Sequence, residues 1–164
     1  MDAAGELYDR HNQHIFRYVW SRVGDQRSAE DLTGEVFSRM VAKLPAYRTT
    51  GVPFRAWLYR IAHNLVVDHH RKEGSHVHVP LNRAEDLYEE GNNPASVVEQ
   101  QLTLERIQRA LEKLDPSQQE VVVLRFLVGL PLQDVALALD KTVASVKSLQ
   151  YRGLIALRAL LGAA

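Results

Sequence analysis

"LPLQDVALALDKTVASVKSLQYRGLIALRAL", Leu130 to Leu160, holds two helical patterns separated by a short polar turn. Pro131 suits the first position of a helix, where its missing N–H has no partner to lose. Val135 and Leu139 recur four residues apart and so share one face. Ala136 is small where a second helix has to cross closely. Asp140 and Lys141 make the turn, and aspartate tolerates the left-handed backbone. The second pattern runs from about Val143 to Leu160, with Val146, Leu149 or Gln150, Leu154 and Leu157 facing inward. Lys147, Ser148, Tyr151 and Arg152 then face outward near its N-terminal half. Such a pair is a helix-turn-helix, and those side chains can reach base edges and phosphates in a major groove. The alternative is an ordinary helical hairpin with a solvated charged face.

Upstream the chain remains helical. "DPSQ" (Asp115–Gln118) offers an N-cap aspartate, a proline at the first position and a glutamine at the third. Val121, Leu124 and Val128 follow on one face, and Gly129 ends the helix. Before them Asn93-Pro94 opens a helix using Val98, Leu102, Leu104, Ile107, Leu111 and Leu114. The stretch "GSHVHVPLNRAEDLYEEGNNP" (residues 74–94) is polar, acidic and broken by Gly and Pro, which reads as a flexible linker.

The N-terminal half shows the same period. A helix runs from about Glu6 to Val23, with Leu7, Ile15, Tyr18, Val19 and Val23 inward and Gly24-Asp25 as its stop. Ser28 with Asp31 resembles a capping box for a second helix, carrying Leu32, Val36, Phe37, Met40 and Leu44 and closed by Pro45. Pro53 opens a third, to Lys72, whose buried stripe is Phe54, Trp57, Leu58, Ile61, Ala62, Leu65, Val66 and His69.

That third helix ends in "HNLVVDHHRK" (His63–Lys72), which resembles a metal site at first reading. A helical zinc site places histidines four apart, and here Val67 holds that position after His63. His69 and His70 are adjacent, so they point about 100° apart and chelate poorly. The open face carries Arg55, Tyr59, Arg60, His63, Asn64, Val67, His70, Arg71 and Lys72. Cations, flat rings and an amide suit phosphates and unstacked bases. A solvated face with one half-buried histidine is the plainer alternative.

Composition narrows the classes. The chain has 164 residues, 46% of them hydrophobic, enough for one domain or two small ones. It has no cysteine, which excludes disulfides, thiolate zinc sites and cysteine nucleophiles. The N-terminus lacks the pattern of a signal peptide, so a cytoplasmic location is expected. Net charge is zero, but it is unevenly spread. Residues 1–73 hold 11 Lys/Arg against 9 Asp/Glu, residues 74–104 hold 1 against 5, and residues 105–164 hold 8 against 6. Two mildly basic blocks flank an acidic middle, and each block has room for a basic face.

Together these stretches resemble a bacterial RNA polymerase sigma factor of the extracytoplasmic-function (ECF) type. "AEDLTGEVFSRM" (residues 29–40) resembles the region 2 helix that docks on the polymerase. "FRAWLYRIAHNLVVDHHRK" (54–72) is similar to the helix that binds and melts the −10 element. "LDPSQQEVVVLRFLVGLPLQDVALALDKTVASVKSLQYRG" (114–153) resembles region 4, which reads the −35 element.

The resemblance implies an all-α fold of two small helical domains, 1–73 and 95–164, joined by the linker at 74–94. It implies −10 contacts from Tyr59, Arg60, His63, Asn64, His70, Arg71 and Lys72, with Asn64 lining a pocket for a flipped base. It implies −35 contacts from Lys147, Ser148, Tyr151 and Arg152, and polymerase contacts from Asp31, Glu35 and Phe37. His69 and His70 stand where the family often has aromatic residues. Gly34 stands where glutamine is common, Leu149 where a basic residue is common, and Asp140 where glycine is frequent. The implied partners are core RNA polymerase, promoter DNA and a separate anti-sigma factor. No membrane insertion, cofactor, metal or catalytic activity is implied. The rival reading is a stand-alone helix-turn-helix regulator binding an operator as a dimer, but no dimerisation stripe stands out beyond the core faces.

Overall fold

A computed structural model gives the structure of the protein and describes residues 2–73 and 94–162. All regular structure among them is helical. Helix α1 spans Ala3–Val23 and starts ahead of the expected Glu6, because the Asp2 carboxylate accepts the Gly5 N–H at 2.7 Å. It ends where Gly24 takes a left-handed φ of 79° and donates to the Trp20 carbonyl at 2.9 Å.

Helix α2 spans Gln26–Tyr47, and two expectations about its ends are corrected. The cap is Asp25, not Ser28: its carboxylate accepts from both the Ser28 N–H at 2.9 Å and the Ser28 hydroxyl at 2.7 Å. A charged acceptor at a helix N-terminus also favours the macrodipole, so aspartate outcompetes serine here. Pro45 does not close the helix but lies inside its last turn. Proline has no N–H to donate to the Val41 carbonyl one turn before, and Val41 is itself an exposed residue. Tyr47 then donates to the Val52 carbonyl at 2.6 Å and stacks on Trp57 with ring centroids 4.4 Å apart. Those contacts turn the chain into α3, Phe54–Glu73.

The linker expected at 74–94 lies outside the described residues, apart from Pro94, which begins α4 (Pro94–Glu112). Helix α5 (Pro116–Val122) carries the expected Asp115 cap, which accepts the Ser117 N–H at 3.1 Å. It widens into a π-turn over Val123–Leu127, and Gly129, with φ of 86°, ends it. Helices α6 (Leu132–Leu139) and α7 (Val143–Gly162) form the helix-turn-helix. Asp140 sits between them at φ 56° and ψ 47°. The Thr142 hydroxyl accepts the Ser145 N–H at 3.0 Å at the entry to α7.

Glycine allows α7 to pass close to α5. A Cβ on Gly153 would stand 3.1 Å from Val122 Cγ2. Leu154, expected inside, is exposed instead. Among the described residues no helix is long and apolar enough to cross a membrane.

Both halves carry the helices expected of them, and they share one core. Ile15, Tyr18, Val36, Met40, Leu58 and Val66 belong to the same buried cluster as Val121, Leu124, Leu130, Val135 and Val146. Helix α3 lies at the centre, packed on α1 and α2 and also on α6. A smaller cluster of Leu111, Leu114 and Val122 holds α4 to the end of α7 through Ile107, Leu157 and Leu160. Each aliphatic side chain fully buried in this way contributes about 1.5–3 kcal/mol.

The turn at Asp140 is testable by itself. A β-branched residue in the left-handed region costs about 1–2 kcal/mol, and glycine costs nothing there. Asp140→Val should unfold in urea with a free energy about 1–2 kcal/mol below that of Asp140→Gly. Both variants lack the carboxylate, so their difference reports the backbone alone.

Candidate nucleic-acid interface

The outward row of α3 is only partly open. Asn64, Arg71 and Lys72 are exposed, and Arg71 leans toward Asp68 at 3.8 Å. Arg60 is half-exposed, with its guanidinium 3.7 Å from the Asp140 carboxylate. His63 is half-buried, its Nδ1 3.4 Å from Glu120 Oε2. His70 bonds the Arg22 carbonyl at 2.7 Å, so its Nε2 carries the proton. Burial pulls the His70 pKa below its ordinary value, although that bond works in the opposite direction.

Tyr59 departs from the expected exposed position. It is buried, with its ring edge on Tyr18 at a centroid distance of 5.4 Å. Burial pushes its hydroxyl up to about 12, against the opposing pull of Arg55. The reason is that α3 is covered on two sides, so the buried arc extends past the apolar stripe. In this arrangement Tyr59 is closed to DNA.

The histidines do not converge. His69 and His70 have ring centroids 5.7 Å apart and tilted by 66°, while His63 faces Glu120. Among the described residues no three His, Cys, Asp or Glu side chains form a group that could hold a metal ion.

The face of α7 is simpler. Lys147, Ser148, Tyr151 and Arg152 are all exposed, Tyr151 by 67%. Leu149 turns inward at 8% exposure beside Val146, as its apolar type requires. A basic side chain there would be desolvated, so the position has no place in the outward row.

On α2, Asp31 and Glu35 are exposed, and Glu35 pairs with Arg39 at 3.1 Å. Phe37 does not join them. It is 5% exposed, with its ring 5.0 Å from that of Tyr8 in an edge-on contact. A face centred on Asp31 and Glu35 points away from the core that holds Phe37, so the polymerase contact expected of Phe37 is corrected to a packing role.

The sequence reading missed a buried polar group between the halves. Arg22 Nη2 lies 2.8 Å from Glu120 Oε2, and Arg22 Nη1 donates to Gln119 Oε1 at 2.7 Å. The Tyr18 hydroxyl donates to Glu120 Oε1. Gln119 also donates to the Leu111 carbonyl at 3.0 Å. Burial alone would raise the Glu120 pKa, but Arg22, His63 and Tyr18 together hold it down at about 2. The one available signal was Glu120 standing four residues before buried Leu124, on the helix's apolar side.

Two family signatures match the chain: Sigma-70 region 2 over residues 7–76 and Sigma-70 region 4 over residues 104–157. The ECF RNA polymerase sigma factor BldN of Streptomyces coelicolor is 38% identical over 160 residues, covering 98% of this chain and 61% of BldN. The chain thus spans less than two thirds of that relative. The ECF RNA polymerase sigma factor SigD of Mycobacterium tuberculosis is 31% identical over 157 residues, covering 93% of this chain and 74% of SigD. Among solved structures, CnrH in complex with the cytosolic domain of CnrY superposes with a TM-score of 0.70 at 27% identity, covering 98% of this chain and 88% of CnrH. The sigma factor RpoE of Bartonella quintana, solved with the anti-sigma factor NepR, shares the fold with a TM-score of 0.75 at 20% identity, covering 96% of each chain. An all-α architecture, an outward-facing helix-turn-helix and matches across both halves converge: the chain belongs to the extracytoplasmic-function sigma factors of RNA polymerase.

Proposed function

We propose that the chain is a promoter-specificity subunit that directs core RNA polymerase to −10/−35 promoters. The observation that carries this reading is the outward row Lys147, Ser148, Tyr151 and Arg152 on the second helix of the helix-turn-helix. A helix presenting cations, a hydroxyl and a phenol at its N-terminal half suits the −35 major groove. Helix α3 is assigned to the −10 element. Arg60, Arg71 and Lys72 supply phosphate contacts, His63 and His70 supply flat polar rings, and Tyr59 becomes available only when α3 is uncovered. Asn64 receives an extruded base, and extrusion costs a few kcal/mol that a fitted pocket offsets. Asp31 and Glu35 dock α2 on a basic polymerase surface, and the linker at 74–94 joins the two halves along the enzyme.

The role is one of binding and melting, with the chemistry left to core polymerase. Control by a protein partner, an anti-sigma factor, follows from likeness to CnrH, which was solved bound to a second protein. Transcription in vitro with purified core enzyme and a promoter library tests the proposal. Promoter-dependent transcripts that need both proteins support it. Tight operator binding by the chain alone as a dimer, without stimulation of polymerase, supports the stand-alone regulator instead.

Two sets of substitutions separate the contacts. Asp31→Lys with Glu35→Lys places like charge against the polymerase and should weaken co-purification with core enzyme while leaving the fold intact, since both positions are exposed. On α7, Lys147 is the base reader and Arg152 the backbone contact. Loss of a good base contact costs about 1–3 kcal/mol at the matched site. Lys147→Ala should therefore reorder the −35 preference, whereas Arg152→Ala should lower activity evenly and reduce salt sensitivity. Transcription from a −35 variant library reads both, and identical preference profiles for wild type and Lys147→Ala would remove the base-reading role.

A further inference from the structure

The leading turn of α7 presents apolar side chains where the middle of its outward face is polar. Val143 is 37% exposed and Ala144 is exposed with it. Neither joins the buried cluster that holds Val146 and Leu149. Helical spacing sets Ala144 in line with Ser148 and Tyr151, four and seven residues on. Val143 lies beside that line, with Lys147 four residues on. The two side chains therefore carry the outward row to the tip of the helix. The backbone beneath them is held in place. The Thr142 hydroxyl accepts the Ser145 N–H at 3.0 Å, and the Thr142 carbonyl accepts the Val146 N–H at 3.0 Å. The Lys141 N–H donates to the Ala136 carbonyl at 2.9 Å, which ties the turn to α6. The fold gives no reason for valine at this position: it is not packed into the core, and it forms helix less readily than alanine.

We propose that Val143 and Ala144 read a thymine methyl group, which makes the first turn of α7 a specificity-determining part of the −35 reader. This role rests on the assignment of α7 to the −35 duplex. A recognition helix meets base edges with its N-terminal residues, so this turn is among the first to reach them. The chemistry then selects the base. Nearly every group that the bases display in the major groove is a hydrogen-bond donor or acceptor, and the thymine C5-methyl is the apolar one. A donor or acceptor pressed against valine loses its water and gains no bond in return. A methyl group pressed there removes two apolar surfaces from water at once. Spacing sets the position. Four residues of α-helix rise about 6 Å, and successive bases of a strand lie about 3.4 Å apart. The thymine therefore lies about two base pairs from the base that Lys147 reads. Lysine favours guanine O6 and N7, so the preferred −35 element holds a guanine and a thymine, on either strand, at about that separation.

The test uses the whole chain bound to core polymerase and the −35 duplex that this complex selects from a randomised pool. Thymidines of that element are replaced one at a time by deoxyuridine, which lacks only the C5-methyl. At one position, wild type should bind the deoxyuridine duplex about fourfold more weakly, the worth of one buried methyl group. The variant carrying Val143→Ser and Ala144→Ser should bind the two duplexes about equally. Both positions are exposed and serine suits the first turn of a helix, so this variant folds, which circular dichroism checks. Any change that deoxyuridine makes to the duplex itself cancels when the two proteins are compared. A wild-type complex indifferent to deoxyuridine at every position overturns the thymine reading, and so does a penalty that the double variant keeps in full. A selected element with no thymine near the base whose choice depends on Lys147 overturns it as well. In each of those cases a −35 preference that still changes with Lys147→Ala leaves the assignment of α7 standing. A preference unchanged by Lys147→Ala, Arg152→Ala and the double variant removes α7 from the −35 element and the thymine reading with it.

Discussion

The contact between Arg22 and Glu120 determines how the two halves meet. Neither charge tolerates burial alone: removing one partner leaves a desolvated ion, which costs about 3–5 kcal/mol. Each therefore holds the other, and neighbouring groups add hydrogen bonds, although Arg22 Nε makes none. Tyr18 and Gln119 supply the hydrogen bonds that a bare pair lacks, and His63 closes the side facing α3. A hydrophobic interface slides with little penalty, but a paired and hydrogen-bonded one has a single register. The continuous core from Ile15 to Leu149 follows from that register.

Buried titratable groups, Glu120 among them, set the pH behaviour of the fold. The Glu120 pKa is depressed from an ordinary 4.5 to about 2, so its contribution is complete above the ordinary value and is lost as pH falls toward 2. His70 is also depressed, by burial first, so its contribution is present above 6.5 and declines as pH falls below that value. Tyr59 is raised from 10.0 to about 12, so its contribution holds up to pH 10 and is lost on the way to 12. From these groups the fold is steadiest between neutrality and pH 10, with His70 the first of them to weaken it on acidification.

Much of this was legible before any coordinates. Periodicity placed the helices, because apolar residues three and four apart have only one way to share a face. Asp115-Pro116, Gly129 and Asp140 marked boundaries that the backbone then used. The outward row on α7 followed from the inward one. Errors arose where the decision was not local. Ser28 and Asp25 are both competent caps, and the choice turned on which side chain met the free N–H groups. Tyr59 was placed outward by helical spacing and Phe37 on a docking face by resemblance, and packing against Tyr18 and Tyr8 decided otherwise. Beyond Glu120 on the apolar side of its helix, the union of the halves had no local signature, since it pairs residues about a hundred positions apart, such as Tyr18 with Glu120.

A net charge of zero does not by itself argue against a nucleic-acid partner, because the charge is unevenly spread. Residues 1–73 carry 11 Lys/Arg against 9 Asp/Glu and residues 105–164 carry 8 against 6, while residues 74–104 carry 1 against 5. The balance is therefore set by the acidic middle segment. The pairs Arg22–Glu120 and Arg60–Asp140 each remove one charge of either sign and leave both halves with a basic excess. On α7 that excess lies at the surface, where Lys147 and Arg152 are exposed beside Ser148 and Tyr151. A local cationic row attracts phosphates over about a Debye length, a distance at which charges elsewhere on the chain are largely screened.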